Sequence, residues 1–287
     1  MAAKEDNKKA EDIISLEAAR KSRNSESIEK EKAVEYTVSV PEVMDRIAKA
    51  IEEYKKELEV RREKREDSQK RDIDKGEFIC LLSGISTCRR MPGIPQHMGY
   101  RGLYQCQSAE DVKAAREHLE EVFNIHDEDS MKETLWGICV NHDYRQFESF
   151  WEGHPAFDTA ALKTRGRSAF ESAKACAEKL SPIVGKNGFL AWDINEQIGM
   201  CRKVYACGLI SQERFIELTV PLAKKARQAF HTWEEYAISC LCGAAYFGYR
   251  NHDSEENQWS FFELNKNILE NLLADDGAWG KNKFKPV

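Results

Sequence analysis

Apolar positions recur every three to four residues along most of this chain, the spacing that lays them on one face of an α-helix. The first such stripe is Met44, Ile47, Ile51, Tyr54 and Leu58, behind Pro41 and inside a segment otherwise made of charged residues. Pro41 suits a first helical position, and Glu42 and Asp45 suit the positive end of a helix. Further stripes follow: Val112, Ala115, Leu119 and Val122 behind Ser108; Leu135, Trp136 and Cys139 behind a capping pair read at Ser130 and Glu133; then Tyr144, Phe147, Phe150 and Trp151. An alanine-rich helix from Ser168 to Leu180 is expected to stop at Ser181-Pro182. Leu190, Ile194, Ile198, Cys201 and Tyr205 form a face that ends at Gly208, and Ser211 restarts the chain toward Phe215, Leu218 and Leu222, with Pro221 predicted to kink or divide that helix. Thr232 and Glu235 read as a capping box, and a last helix runs from about Ser254 to Leu273. FICLLSGIS, beginning at Phe78, is short enough to be a buried helix or a strand. No convincing period-two strand is found, so the predicted fold class is all-α: an irregular or orthogonal multi-helix bundle with an N-terminal charged helical arm.

Composition divides the chain. Residues 1–40 are charged with both signs mixed and read as a disordered tail; residues 41–75 read as a charged amphipathic helix and linker, residues 76–275 as a globular domain, and residues 276–287 as a C-terminal tail. The 287 residues are 41% hydrophobic, enough for a sizeable core. A net charge of −6 gives no global basic field and argues against nucleic acid as a partner. No apolar run reaches the length of a membrane span, and the first residues lack the apolar core of a signal peptide. Nine irregularly spaced cysteines then point to reduced thiols and a cytoplasmic location.

Standard catalytic motifs are missing: no G-x-G-x-x-G, P-loop, G-x-S-x-G or H-E-x-x-H occurs, and no histidine has a Glu three residues before it. Cys80, Cys88, His97 and Cys106 form a zinc-compatible set without a C-x-x-C knuckle, and buried apolar thiols are the plainer reading. His142-Asp143 and Glu152-x-His154 place imidazole beside carboxylate, although neighbours on a helix diverge. Two Trp-acid pairs, Trp192-Asp193 and Trp233-Glu234, each open a helical stripe. The acids suit a helix's first turn, and Trp136, Trp192 and Trp233 suit core anchors whose indole N–H finds a carbonyl. Ser239 and Gly243, small residues four apart, would let another backbone come close.

LWGICVNHDYRQFESFWEGHPAF, AWDINEQIGMCRKVYACGLIS and AFHTWEEYAISCLCG together resemble the bacterial domain of unknown function 1266 family, the YbeU/YbeR-like group, over roughly residues 78–250 and most closely over 131–250. The residues that carry the likeness are Trp136, Gly137, Ile138, Gly153, His154, Trp192, Asp193, Gly208, Trp233, Glu234, Glu235 and Gly243. Glu196 and Ala244 depart from it, since the family commonly has arginine at both places. The resemblance implies an α-helical bacterial cytosolic protein and no particular activity.

The resulting expectation is a non-enzymatic protein-interaction module without a cofactor, with a protein partner and a homodimer seam through residues 41–60. The alternative is an enzyme or small-molecule-binding protein with a pocket near His154, Asp193 and Glu234. The candidate pocket or signature residues are Trp136, His154, Trp192, Asp193, Trp233, Glu234 and Gly243.

Overall fold

Behind Pro41 the chain enters α1, Glu42–Lys64, and the striped residues Met44, Ile47, Ile51, Tyr54 and Leu58 are each at most 2% exposed. The computed structural model describes residues 38–64, 70–89, 91–94, 100 and 102–286, so the tail expected before residue 38 and the candidate ligand His97 lie outside the described residues. Ten further α-helices follow among those described. They are α2 (Lys75–Leu82), α3 (Gly84–Cys88), α4 (Ala109–Phe123), α5 (Glu128–Ile138), α6 (Asn141–Trp151), α7 (Thr164–Val184), α8 (Leu190–Ala206), α9 (Gln212–Ala229), α10 (Trp233–Asn251) and α11 (Glu255–Leu273). Single 3-10 turns occupy Thr159–Ala161 and Gly185–Asn187. The fold is all-α: the described residues hold no strand, only isolated bridges pairing Arg71 with Asn282 and Met91 with Ile94. The ambiguous FICLLSGIS segment is helical, split between α2 and α3 at Ser83.

Side-chain caps set many of the boundaries. Asp74, Ser108, Ser211, Thr232 and Ser254 each accept a hydrogen bond from the backbone N–H three residues on. The box expected at Ser130 and Glu133 is displaced: α5 begins earlier, Asp127 is its cap, and the Ser130 hydroxyl bonds back to the Asp127 N–H. An acid three residues before a serine serves the same two orphan donors, so the pattern fitted either register. Neither proline breaks its helix. Pro182 in the last turn of α7 and Pro221 on the exposed side of α9 each cost one bond, and the carbonyls left over, on Glu178 and Glu217, belong to exposed residues and can turn to water.

The described residues divide between two compact units. The smaller holds residues 38–39 and 157–173. Within it the rings of Phe157 and Phe170 meet edge-on at 5.1 Å, and the Ser39 N–H donates to Ser172 Oγ at 2.9 Å.

The larger unit, residues 40–156 and 174–286, is organised around α8, which is buried along almost its whole length and packs against α2, α3, α5, α6, α9 and α10. The close approach of α8 and α10 needs small residues. A Cβ on Gly243 would lie 2.3 Å from Trp192 Cβ, and Ser239 Oγ accepts from the Ala191 N–H while donating to the Gly188 carbonyl. The Ser239–Gly243 face does admit another backbone, and that backbone is the chain's own α8. On another side, α1 packs its stripe against α10 and α11, so this apolar face is turned into the chain's own core. Its flanks are polar: Arg46 lies 3.5 Å over the Trp259 ring, and the Glu42 N–H donates to Glu255 Oε1 at 3.0 Å.

Residues read as a C-terminal tail close the core. Trp279 is fully buried, stacks on Trp233 at 5.0 Å and donates from Nε1 to the Leu81 carbonyl at 2.8 Å. Trp233 in turn donates to the Asn282 carbonyl at 3.0 Å, and Phe284 packs edge-on against both Phe78 and Trp233. A lone Trp and a lone Phe among polar residues carry no period that would mark them as core.

Candidate functional site

The helices α6 and α8 start without a capping side chain of their own, because Val140 and Phe189 occupy their N-cap positions. Each is capped from the other. Asp193, in the first turn of α8, accepts from the Val140 N–H at 2.8 Å and from the Asn141 N–H at 3.3 and 3.2 Å through its two oxygens. Asn141, first residue of α6, accepts the Phe189 N–H on Oδ1 at 2.8 Å. Trp192 adds a bond from Nε1 to the Ile138 carbonyl at 3.2 Å. The Trp192-Asp193 pair thus bolts the turn between α5 and α6 onto the start of α8. Burial raises the Asp193 carboxyl to about 7, against the opposing pull of the Val140 and Asn141 hydrogen bonds and the His142 charge.

Two residues further on, Asn195 Oδ1 accepts the N–H groups of Ile85 and Ser86, capping α3, and its amide donates to Glu196 Oε1 at 2.8 Å. Glu196 is paired with Arg89 at 2.9 Å, and Arg89 also donates to Asn265 and lies 5.1 Å over the Trp192 ring. At the position where the resemblance leads one to expect arginine, a guanidinium arrives from the end of α3 instead. Deeper along α8, Arg202 donates to the Cys80 carbonyl, Ser83, Thr87 and the Gly102 carbonyl, while burial lowers the Lys203 amine to about 8. Ala244 is fully buried.

Above the bolt lies an exposed aromatic. Trp136, expected in the core, is 56% exposed. Met131 is buried on α5, and Trp136 follows the inward-leaning Leu135 by about 100° around the helix, which turns its indole outward. Its ring lies nearly parallel to His142, 14° between planes and 4.8 Å between centroids. His142 and Asp143 do meet despite being neighbours on one helix: Nε2 is 3.0 Å from Asp143 Oδ1. The second oxygen of Asp143 accepts from Arg250 at 3.0 Å and from the Tyr246 hydroxyl at 2.9 Å. Burial alone would raise the Asp143 carboxyl, but the His142 hydrogen bond, the Arg250 and His142 charges and the Tyr246 bond outweigh it and hold it below the usual range. Arg250, Tyr246, Asn141 and Arg89 carried no sequence signal, because each acts only through a partner distant along the chain.

The remaining candidates lie elsewhere. Exposed His154 follows the end of α6, whose 11 residues put it about 16 Å from the end that Asp193 caps. Glu234 is in the first turn of α10, about 13 Å of helix rise before Gly243, the residue that faces Trp192. His154, Asp193 and Glu234 therefore stand at three separate helix ends. Among the thiols, Cys80 and Cys106 donate to the carbonyls of Gly102 and Gly93, and Cys88 meets the Tyr100 hydroxyl at 3.3 Å. Among the described residues no three His, Cys, Asp or Glu side chains are placed to hold a metal ion, and no helix is long and apolar enough to cross a membrane.

No curated protein and no solved structure matches this chain. Residues 118–284, more than half of its length, do match the model of a family described as protein of unknown function DUF1266. The matched span starts beyond the first residues of the likeness read from sequence and runs on to Phe284, so it takes in the bolt, the Trp136 face and the buried Trp279 alike. The chain belongs to the DUF1266 family.

Proposed function

We propose that this chain is a non-enzymatic protein-interaction module of a bacterial cytosol, with its docking surface centred on Trp136. The observation that carries the reading is the held, outward indole: Trp136 is 56% exposed yet braced by His142, itself tied to Asp143, Arg250 and Tyr246. An exposed aromatic already fixed in one orientation loses little side-chain entropy when a partner covers it, and such residues dominate interface energetics. The other two signature tryptophans are spent inside the fold. The separate placement of His154, Asp193 and Glu234 lends no support to a shared catalytic pocket, and the buried stripe of α1 offers no apolar seam for a homodimer through residues 41–60.

The test is cross-linked capture from a bacterial host lysate with the intact chain, its Trp136→Ala variant and a Val60→Ala control, Val60 being 49% exposed on α1. A partner held by the wild type and the control but lost with Trp136→Ala, at unchanged thermal midpoint, supports the reading. A partner retained equally by all three removes Trp136 from the interface.

A further inference from the structure

We infer that His142 is a proton-operated brace for Trp136: protonated, it locks the indole in its outward pose, and deprotonated, it lets the ring go. The inference rests on Trp136 as the docking residue and adds regulation to that face. An imidazole gains a charge within the physiological pH range. Here a single added proton would act on two contacts at once. It would turn the ring contact with Trp136 into a cation held over an indole face, and turn the 3.0 Å contact with Asp143 into an ion pair.

The groups that face the imidazole come from more than one element. On its own helix stands the Asp143 carboxylate, with Arg145 drawn off to Glu148 at 2.8 Å. From α8 comes Asp193, whose carboxyl and the His142 charge act on one another, with Glu196 occupied by Arg89. From α10 come Arg250 and Tyr246, both bound to the second Asp143 oxygen. The turn into α6 adds Cys139, whose thiol burial pushes up and so keeps neutral. Arg250 is the opposing cation, and Asp143 stands between it and the ring. His142 is itself 29% exposed, so protons reach it without unfolding.

The experiment uses the intact chain and needs no partner. Tryptophan emission is followed from pH 5 to 8 in wild type, His142→Gln and Trp136→Phe, with far-UV circular dichroism recorded at each pH. A protonated imidazole stacked on an indole quenches it, so the wild type should show a one-proton fall in emission on acidification that both variants lose. Proton NMR of the wild type guards against variants that fold poorly: the His142 ring and Trp136 indole resonances should move with one shared midpoint. A wild type with no such step overturns the inference. So does a step that persists in His142→Gln, which would belong to Asp193, or two unrelated NMR midpoints. Because no partner enters these measurements, failure of the lysate capture and failure of the brace are read separately.

Discussion

Asp193 and Asn141 cap each other's helices. The acid on α8 takes the first N–H groups of α6, and the amide on α6 takes the N–H of Phe189 at the start of α8. Two positive helix ends meet with one carboxyl between them, so the Trp192-Asp193 signature has a sufficient structural reason without a substrate.

Removing that carboxyl should be felt in stability. Asp193→Ala leaves the buried Val140 N–H and the Asn141 N–H without acceptors, and the expected loss is about 2–4 kcal/mol. Asp193→Asn keeps a carbonyl oxygen facing them and should lose less than half of that. Urea unfolding of the three proteins checks the order; equal stability of wild type and Asp193→Ala would show that the cross-cap does not hold the helices.

The same carboxyl gives a pH dependence of definite sign. Its folded value of about 7 lies above that of an unfolded Asp, about 3.9. Between those values the native chain binds the proton that the unfolded chain has released, so this group's contribution to stability is full below about pH 4 and declines as pH rises to about 7. Asp143 has the opposite sign: its carboxyl is depressed, and its contribution is present above about pH 4 and lost in stronger acid. The stability advantage of wild type over Asp193→Asn should therefore shrink, and reverse if the amide's loss is small, as pH rises from 4.5 to 7, then level off. An advantage that is flat or widens across that window would refute the assignment.

Much of this fold was legible in the sequence because helices announce themselves locally. Ser108 and Thr232 cap where their spacing put them, Ser211 and Ser254 stand at the helix starts read for them, and the stripe from Met44 to Leu58 is as buried as its period required. What was illegible depends on pairing. Asp193 looked like an acid serving its own helix, and nothing nearby in sequence reveals that its acceptor oxygens face Val140 and Asn141, fifty residues earlier. Trp136 and Trp279 were misplaced for related reasons. An indole beside apolar neighbours reads as core until the helix phase is known, and a Trp among polar residues reads as tail until something is seen to cover it.

Two glycines separate close approach from mere flexibility. At Gly243 an added methyl would fall 2.3 Å from Trp192 Cβ, forcing α8 and α10 apart, whereas at Gly137 on α5 nothing lies within 4 Å of the new carbon. Gly243→Ala is therefore expected to destabilise by about 1–3 kcal/mol through overpacking. Gly137→Ala should stabilise by about 0.5–1 kcal/mol, because alanine has less chain entropy to lose in a helix. Opposite shifts in thermal midpoint check the pair, and a neutral Gly243→Ala would mean the two helices have room to spare.

The end of the chain offers a sharper trial of what belongs to the core. Trp279 stacks on Trp233, donates to the Leu81 carbonyl at 2.8 Å and leaves so little space that a Cβ on Gly84 would meet its indole at 2.9 Å. Trp279→Ala removes a fully buried indole from the junction of α2, α3 and α10 and takes the donor from the Leu81 carbonyl, at an expected cost of about 3–5 kcal/mol. For a unit of this size that is a fall in thermal midpoint of about 10 °C. Trp279→Phe fills most of the volume without the N–H and should fall in between. Truncation after Asp275 should be at least as damaging as Trp279→Ala, since it also removes Asn282 and Phe284 from Trp233. Were the truncated chain to melt with the wild type, residues 276–287 would be a tail after all, and the aromatic cluster would owe its order to Phe78, Trp233 and Tyr236 alone.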